Sequence, residues 1–219
     1  MRYNPADRKE FEIQIKELLA MKLIVPSKSP HSSPAFLVET EAERRRGKKR
    51  MVINYKALNK ETIDDGYFLP KKEELLTLIR GKKYYSGLDC KSGFWQVRLD
   101  EGSQLLTAFS CPQGQYHWKV VPFGLKQAPG IFQRHMDNIF KKYNEYCCVY
   151  IDDILVFSNT LQEHYKHLEV ILKECKNKGI VLSEKKANLC QTKINYLGLE
   201  IEEGKHQLQM PPRNFGEQY

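Results

Sequence analysis

Two adjacent carboxylates, Asp152 and Asp153, stand inside the apolar stretch CCVYIDDILVFS, residues 147–158, whose β-branched and aromatic residues are those of buried strands. Burying carboxylates without partners is costly, so a folded chain keeps such a pair only at a turn open to water or where something positive meets it. A third carboxylate, Asp89, stands at the end of another strand-like run, YYSGLDC, residues 84–90. If the two runs pair in one sheet, three carboxylates meet at one rim and repel one another unless hard cations neutralise them. Mg²⁺ favours a few carboxylates together with substrate phosphates, and two such ions roughly 3.5–4 Å apart clamp the attacking and leaving oxygens of phosphoryl transfer. Taken alone, the pair at 152–153 has a plainer reading as a solvent-facing hairpin turn, because Asp tolerates turn conformations.

The elements that must position these residues read as α+β. Asn4 and Pro5 open a helix carrying Phe11, Ile15, Leu18 and Leu19, which ends before the extended stretch 26–34. Residues 35–39 and 49–55 form a hairpin with a basic tip that includes Arg44, Arg45, Arg46 and Lys48. A short helix over 73–80, stopped by Gly81, feeds the strand 84–90. Residues 105–110 and 115–121 read as a second hairpin. An amphipathic helix starting at Ala128 presents Ile131, Phe132, His135, Met136, Ile139 and Phe140 on one face. Strands 147–150 and 154–157 then flank the carboxylates, which lie at the turn. Asn159 and Gln162 predict a capping-box start for a helix running to about Lys178 and ended by Gly179. The pattern implies a split βαββαβ core with an antiparallel sheet rather than a doubly wound one.

With 41% hydrophobic residues in 219, the chain can bury a real core and is not a disordered protein. Its 35 Lys and Arg against 27 Asp and Glu, net +8, favour a polyanionic partner such as nucleic acid. Cysteines at 90, 111, 147, 148, 175 and 190 show no zinc spacing and read as reduced core residues of an intracellular protein. No stretch approaches a membrane span, and the N-terminus lacks a signal-peptide core, so neither membrane insertion nor secretion is expected. His164 and His167 share a helix face without a third ligand nearby and are expected at the surface.

Seven ordered segments carry a family resemblance: RMVINYKALNK (50–60), LP (69–70), GLDCKSGFWQV (87–97), TAF (107–109), VPFGLKQAPGIFQ (121–133), YIDDILVFS (150–158) and NYLGLEI (195–201). Together they resemble the reverse transcriptases of LTR-type retroelements, most closely those of the caulimoviruses, the plant pararetroviruses, and next the gypsy-type retrotransposons. The resemblance implies the fingers and palm of a right-hand polymerase: fingers over 1–63 and 97–127, palm over 64–96 and 128–205. It implies an RNA-directed DNA polymerase, part of a polyprotein, that uses two Mg²⁺ ions, with Mn²⁺ able to substitute. Its partners would be dNTPs and an RNA or DNA template-primer duplex, with no membrane, in the host cytoplasm or virus particle. The thumb and RNase H regions are expected to be missing, which would leave synthesis weak and distributive. The stretch 206–219, where Pro211 and Pro212 block a helix, reads as a truncated or altered tail.

By the same resemblance Asp89, Asp152 and Asp153 are the catalytic carboxylates and metal ligands, with the Cys90 carbonyl assisting. Lys186 matches a family lysine near the triphosphate, a candidate general acid for the leaving pyrophosphate; Lys185 beside it competes for that match. Arg50 would grip the triphosphate, assisted by Lys48 or Lys49, while Arg44 to Arg46 read better as solvated charges. Phe94 matches the residue under the nucleotide sugar, and Trp95 is its neighbour. Gly124, Lys126 and Pro129 match the segment beneath template and nucleotide; Phe123 stands where retroviral enzymes carry Gln, so any polar contact of that Gln is absent. Ile151 would support the primer end, and Tyr196, Leu197 and Gly198 match the primer grip. Trp95 and Phe123 read equally well as core aromatics. Two other functions stay open at this level: a catalytically idle nucleic-acid-binding scaffold, and a metal-dependent nuclease using the three Asp residues.

Overall fold

Asn4 keeps an extended backbone and its side chain accepts a hydrogen bond from the Asp7 amide at 2.7 Å, with Pro5 in the first turn, so α1 (Pro5–Ala20) starts where the sequence predicts. In chain order there follow β1 (Ile24–Pro26), β2 (Ser33–Val38), β3 (Arg50–Ile53), α2 (Lys56–Glu61), α3 (Lys72–Leu78), β4 (Tyr84–Asp89), α4 (Glu101–Gln104), β5 (Phe109–Cys111) and β6 (Gly114–Trp118). Then come α5 (Ala128–Phe140), β7 (Cys147–Tyr150), β8 (Asp153–Ser158), α6 (Leu161–Lys178), β9 (Asn188–Gln191), β10 (Lys193–Tyr196), β11 (Leu199–Glu202) and β12 (Lys205–Leu208). The computed structural model describes residues 3–39, 41, 44, 47, 49–203 and 205–208. Arg45, Arg46, Lys48 and the tail from residue 209 lie outside the described residues.

The chain forms two units, residues 1–66 with 94–131 and residues 67–93 with 132–219. In the first, five strands run in the order β1-β6-β5-β2-β3, antiparallel except for the β2–β5 pair. Phe11, Ile15 and Leu18 of α1 pack with Ile24, Ala35, Tyr55, Phe109 and Trp118 in its core. Residues 105–107 are not the strand the sequence suggests but a 3₁₀ turn. Thr107 Oγ1 donates to Gln104 O and accepts from the Trp118 amide, so a β-branched residue that reads as strand closes a turn instead.

In the second unit the order β4-α5-β7-β8-α6-β9 is the expected βαββαβ, with the four strands wholly antiparallel in the spatial order β7-β8-β4-β9. One face carries Tyr85, Cys148, Leu155 and Phe157 against Leu75, Ile79, Ile194, Tyr196 and Ile201. The cap of α6 differs by one residue from the expected one: Thr160 accepts from the Glu163 amide and the Glu163 carboxylate accepts from the Thr160 amide, a reciprocal capping box. Gly179, at φ +71°, closes the helix as predicted.

His164 is not on the surface but fully buried. Ser86 Oγ accepts from the Cys190 amide (2.9 Å) and meets His164 Nε2 at 2.7 Å, while Ser158 Oγ meets His164 Nδ1 at 2.9 Å and His167 Nδ1 at 2.8 Å. The simplest donor order sends the Ser86 hydroxyl hydrogen to Nε2 and leaves the His164 proton on Nδ1, a neutral imidazole in agreement with its lowered pKa, which follows from burial. His167 stacks flat on Tyr146 with centroids 3.9 Å apart. The sequence shows two polar rings on a helix; the serines that bury one of them come from two strands. None of the described cysteines is in a disulfide, and among the described residues no helix is long and apolar enough to cross a membrane.

Candidate active site

Antiparallel pairing of β4 with β8 sets Asp89 directly opposite Asp153, and Asp153 is in turn opposite Tyr150 of β7. Residues paired in this way share a face, with Cβ atoms about 4.5–5.5 Å apart. Only Ile151 and Asp152 therefore form the turn; Asp153 is the first residue of β8, where the sequence placed both carboxylates in the loop. The turn is tied to the neighbouring strand by the Cys90 amide, which donates to Asp152 O at 2.9 Å. Beyond β4, Ser183 donates its amide to Asp89 O at 2.8 Å, bringing the 3₁₀ turn 184–186 alongside.

Lys186 Nζ reaches both oxygens of Asp89, at 3.1 and 3.0 Å; both Lys185 and Lys186 are exposed, and Lys186 is the one that meets the carboxylate rim. That contact holds the Lys186 ammonium above its usual pKa. Asp152 has the opposite problem. Burial first, then the charges of Asp89 and Asp153, push its carboxyl up to about 6, with Lys186 opposing only in part. Asp153 is raised by burial and by Asp89. Asp152 Oδ1 is buried and has no hydrogen-bond partner. As they stand, no three His, Cys, Asp or Glu side chains among the described residues converge as a metal-ligand group, Asp89 being turned to Lys186. The donor set still fits a hard divalent cation: carboxylate oxygens on one rim, mutually repelling, one of them buried and unpaired. Cys90 is buried and its thiol is pushed up by burial and by Asp152, so it stays protonated and only its carbonyl suits such an ion.

Gly93 is built into this site. A Cβ there would stand 2.0 Å from Asp152 Oδ1, 2.9 Å from its Cγ and 3.0 Å from Phe132 Cζ. The sequence shows the glycine but not what fills the space it leaves.

The hairpin β10–β11 turns through Leu197 (φ +52°) and Gly198 (φ +79°), a two-residue loop with both residues left-handed. Tyr196 is buried in the core with its hydroxyl 3.8 Å from Cys148 Sγ, so what the turn exposes is backbone and not the Tyr196 ring. Lys72 Nζ donates to Leu197 O at 3.3 Å.

In the first unit, Arg50 opens β3 as an exposed residue. Lys49 is bound to Asp7 Oδ1 at 2.7 Å, an ion pair that ties it to α1. Phe94 is half-buried, its ring 5.1 Å from Phe123, and Phe123 is 48% exposed, which rules out a core aromatic there. Trp95 packs on Trp118 at 5.8 Å, against the core. Gly124 has φ +95°; Asn59 Nδ2 donates to its carbonyl (2.8 Å) and Asn59 Oδ1 accepts from the Lys126 amide (3.0 Å). Asn59 thus fixes the segment carrying Phe123, Gly124 and Lys126, a role that only the fold shows. Lys126 Nζ pairs with the exposed Asp64 at 2.9 Å.

Comparison with known proteins agrees with this geometry. The chain is 66% identical over 209 residues to the enzymatic polyprotein of Cauliflower mosaic virus (strain CM-1841), and 66% identical over 208 residues to that of Carnation etched ring virus. These alignments cover 95% and 94% of this chain but only 31% and 32% of those proteins, so it spans about a third of their length. Among solved structures, the foamy viral protease-reverse transcriptase in complex with RNA/DNA hybrid superposes with a TM-score of 0.85 at 27% identity, over 96% of this chain and 28% of that one. The foamy viral protein in complex with dsDNA superposes at 0.84 with 28% identity, over 96% and 43%. The fold is therefore that of polymerase fingers and palm. Across residues 38–201 the chain matches the family model described as reverse transcriptase (RNA-dependent DNA polymerase), and it belongs to that family.

Proposed function

We propose that the chain is the fingers and palm of a caulimovirus-type reverse transcriptase, which adds deoxynucleotides to a primer 3′ end on an RNA or DNA template inside the infected cell or the virus particle. The observation that carries the reading is the rim on which Asp89 and Asp153 face each other with Asp152 beside them, one of its oxygens buried and unpaired. The two compact units support fingers at 1–63 and 97–127 and palm at 64–96 and 128–205, within a few residues. The solved relatives bound to RNA/DNA hybrid and to dsDNA support a template-primer duplex as partner.

Asp89, Asp152, Asp153 and the Cys90 carbonyl would hold Mg²⁺, in two sites by the family resemblance, with Mn²⁺ as substitute. Bound there, the ions would neutralise the carboxylates and draw charge from the reacting phosphate oxygens. The protein's own share is positional. The β4–β8 register fixes two carboxylates, the Cys90 amide fixes the turn bearing the third, and Lys186 offers a proton to the leaving pyrophosphate once Asp89 turns from it. Arg50 suits a triphosphate through bidentate donation, with Lys49 assisting only if it leaves Asp7. Phe94 is assigned to the nucleotide sugar, Phe123, Gly124 and Lys126 to template and nucleotide, Ile151 to the primer end, and the backbone from Tyr196 to Gly198 to the primer strand.

Primer extension with a labelled primer-template, dNTPs and Mg²⁺, beside a control without dNTPs, tests the reading. Primer growth is expected; primer shortening in the control would make the chain a nuclease, and duplex binding without growth under Mg²⁺ or Mn²⁺ would make it an idle scaffold. In the same assay Gly93→Ala is expected to lower turnover by about tenfold to a hundredfold, because its Cβ displaces the Asp152 carboxylate by an ångström or more. Unimpaired turnover would show that the carboxylate does not act from where it lies. Phe94→Val is expected to raise kcat/KM for ribonucleotides and lower it modestly for dNTPs, since the favoured substrate lacks the 2′-hydroxyl and only a wall can reject that group. Half-buried Phe94 should lose less stability than the roughly 3–5 kcal/mol of a truncated core Phe. An unchanged ribo-to-deoxy ratio would refute the gate.

A further inference from the structure

Ile151, the first residue of the two-residue turn, has φ +53°. Tight hairpin turns give this position to Gly or Asn, and a β-branched residue there is strained. Something must hold it, and among the described residues β7 is an edge strand of its sheet, paired with β8 on one side alone. Gln133 of α5 fills that role by geometry. Its side chain is fully buried, and each hydrogen-bonding function of the amide is used. Oε1 accepts from the Ile151 amide at 2.7 Å, while Nε2 donates to Val149 O at 3.1 Å and to Asp137 Oδ1 at 2.8 Å. Asp137 Oδ2 in turn accepts from the Tyr67 hydroxyl, and the Arg134 guanidinium lies 4.9 Å from the Tyr67 ring centroid. Gln133 thus grips the chain on both sides of Tyr150, at the last turn of the strand and the first residue of the loop. An apolar side chain would leave the Ile151 N–H and Val149 C=O without these partners, and a carboxylate would face Asp137.

We propose that Gln133 is a positioning residue for the catalytic turn: it holds Ile151 in the left-handed conformation that presents Asp152 and Asp153, while Asp137 and Tyr67 fix the direction of its amide. The kinetic part of this inference rests on the polymerase reading; the structural part does not.

The test uses Gln133→Met, which keeps the volume and removes the hydrogen bonds. Residue-resolved amide exchange on the metal-free protein is read beside single-nucleotide addition. The Ile151 amide is expected to exchange about tenfold faster or more, as suits loss of a buried hydrogen bond, with Ile154 to Phe157 of β8 as protected as in the wild type. Nucleotide addition is expected to lose about tenfold in kcat, with KM for dNTP and template-primer Kd within about threefold, because the turn is misplaced rather than substrate contacts removed. Gln133→Glu combined with Asp137→Asn returns an oxygen to Ile151 and a nitrogen to position 137 but sets a carboxylate oxygen against Val149 O, and should recover protection at Ile151 only in part. A wild-type exchange rate at Ile151 in Gln133→Met overturns the proposal. So does loss of protection throughout β8 in step with Ile151, which would make Gln133 an ordinary core residue. If Gln133→Met does not fold, Tyr67→Phe removes only the outer hydroxyl and should speed Ile151 exchange by about threefold; no change there is equally fatal. Should the wild-type chain add no nucleotide at all, the polymerase reading fails while exchange still decides the role of Gln133.

Discussion

Asp152→Asn is expected to lose nucleotide addition by about a thousandfold or more, since several kcal/mol of transition-state stabilisation vanish with the ligand at about 1.4 kcal/mol per factor of ten. The same change should make the protein more stable at neutral pH. The Asp152 carboxyl is raised to about 6, above the usual range, so the folded state favours its protonated form. Between roughly pH 4 and 6 the folded chain holds a proton that the unfolded chain has released; stability falls as pH rises through that window, and the neutral amide escapes the loss. The gain should be on the order of 1 kcal/mol once solvent screening at a half-exposed site is allowed for, visible above pH 6 and absent below 4. Asp89→Asn should lose as much activity with a smaller gain in melting temperature, because it relieves the repulsion on Asp152 and Asp153 but also removes the partner of Lys186. Parallel melting curves at pH 4 and pH 7.5 with primer extension check both statements. Near-native extension by either mutant at saturating Mg²⁺ would sink the role assigned to the rim.

Template-primer affinity should collapse with salt. Each Lys or Arg contact to a phosphate releases counterions, so for roughly 4–8 contacts, raising salt from 50 to 200 mM should weaken binding by on the order of 10²–10⁴. The net charge of +8 makes such a number of contacts reasonable. Fluorescence anisotropy of a labelled duplex across that range gives the slope directly. A flat response would mean that the positive charge is scattered over the surface and meets no backbone.

What the sequence reveals and what it hides divide along a physical line. Asn4 with Pro5 and Gly179 after α6 act on backbone within four residues of themselves, and each is read correctly. The carboxylates are legible because a charge inside an apolar run is a local contradiction that calls for a distant explanation. Gln133 offers no such contradiction: it reads as one polar residue in an amphipathic helix, and its partners Val149 and Ile151 lie 16 and 18 residues away. His164 reads as exposed for the same reason, its serine partner on β4 being 78 residues distant. The 3₁₀ turn at 105–107 escaped because Thr107 is a good strand former whose hydroxyl is claimed by its neighbours. In each case the missing information is a hydrogen bond between elements, which residue type and periodicity do not encode.

The space beside Asp152 has a genetic consequence as well as a mechanical one. Any single-letter change in the first or second position of a glycine codon yields a stop or a residue with a Cβ, and every such residue at position 93 brings an atom within 2.0 Å of the carboxylate oxygen. A polymerase that copies its own gene would thus erase, in the next round, each genome in which it miscopied that codon. If the chain acts as the polymerase proposed, six of the nine point changes at this triplet would impair the enzyme they encode, and only the three silent third-letter changes would leave it untouched.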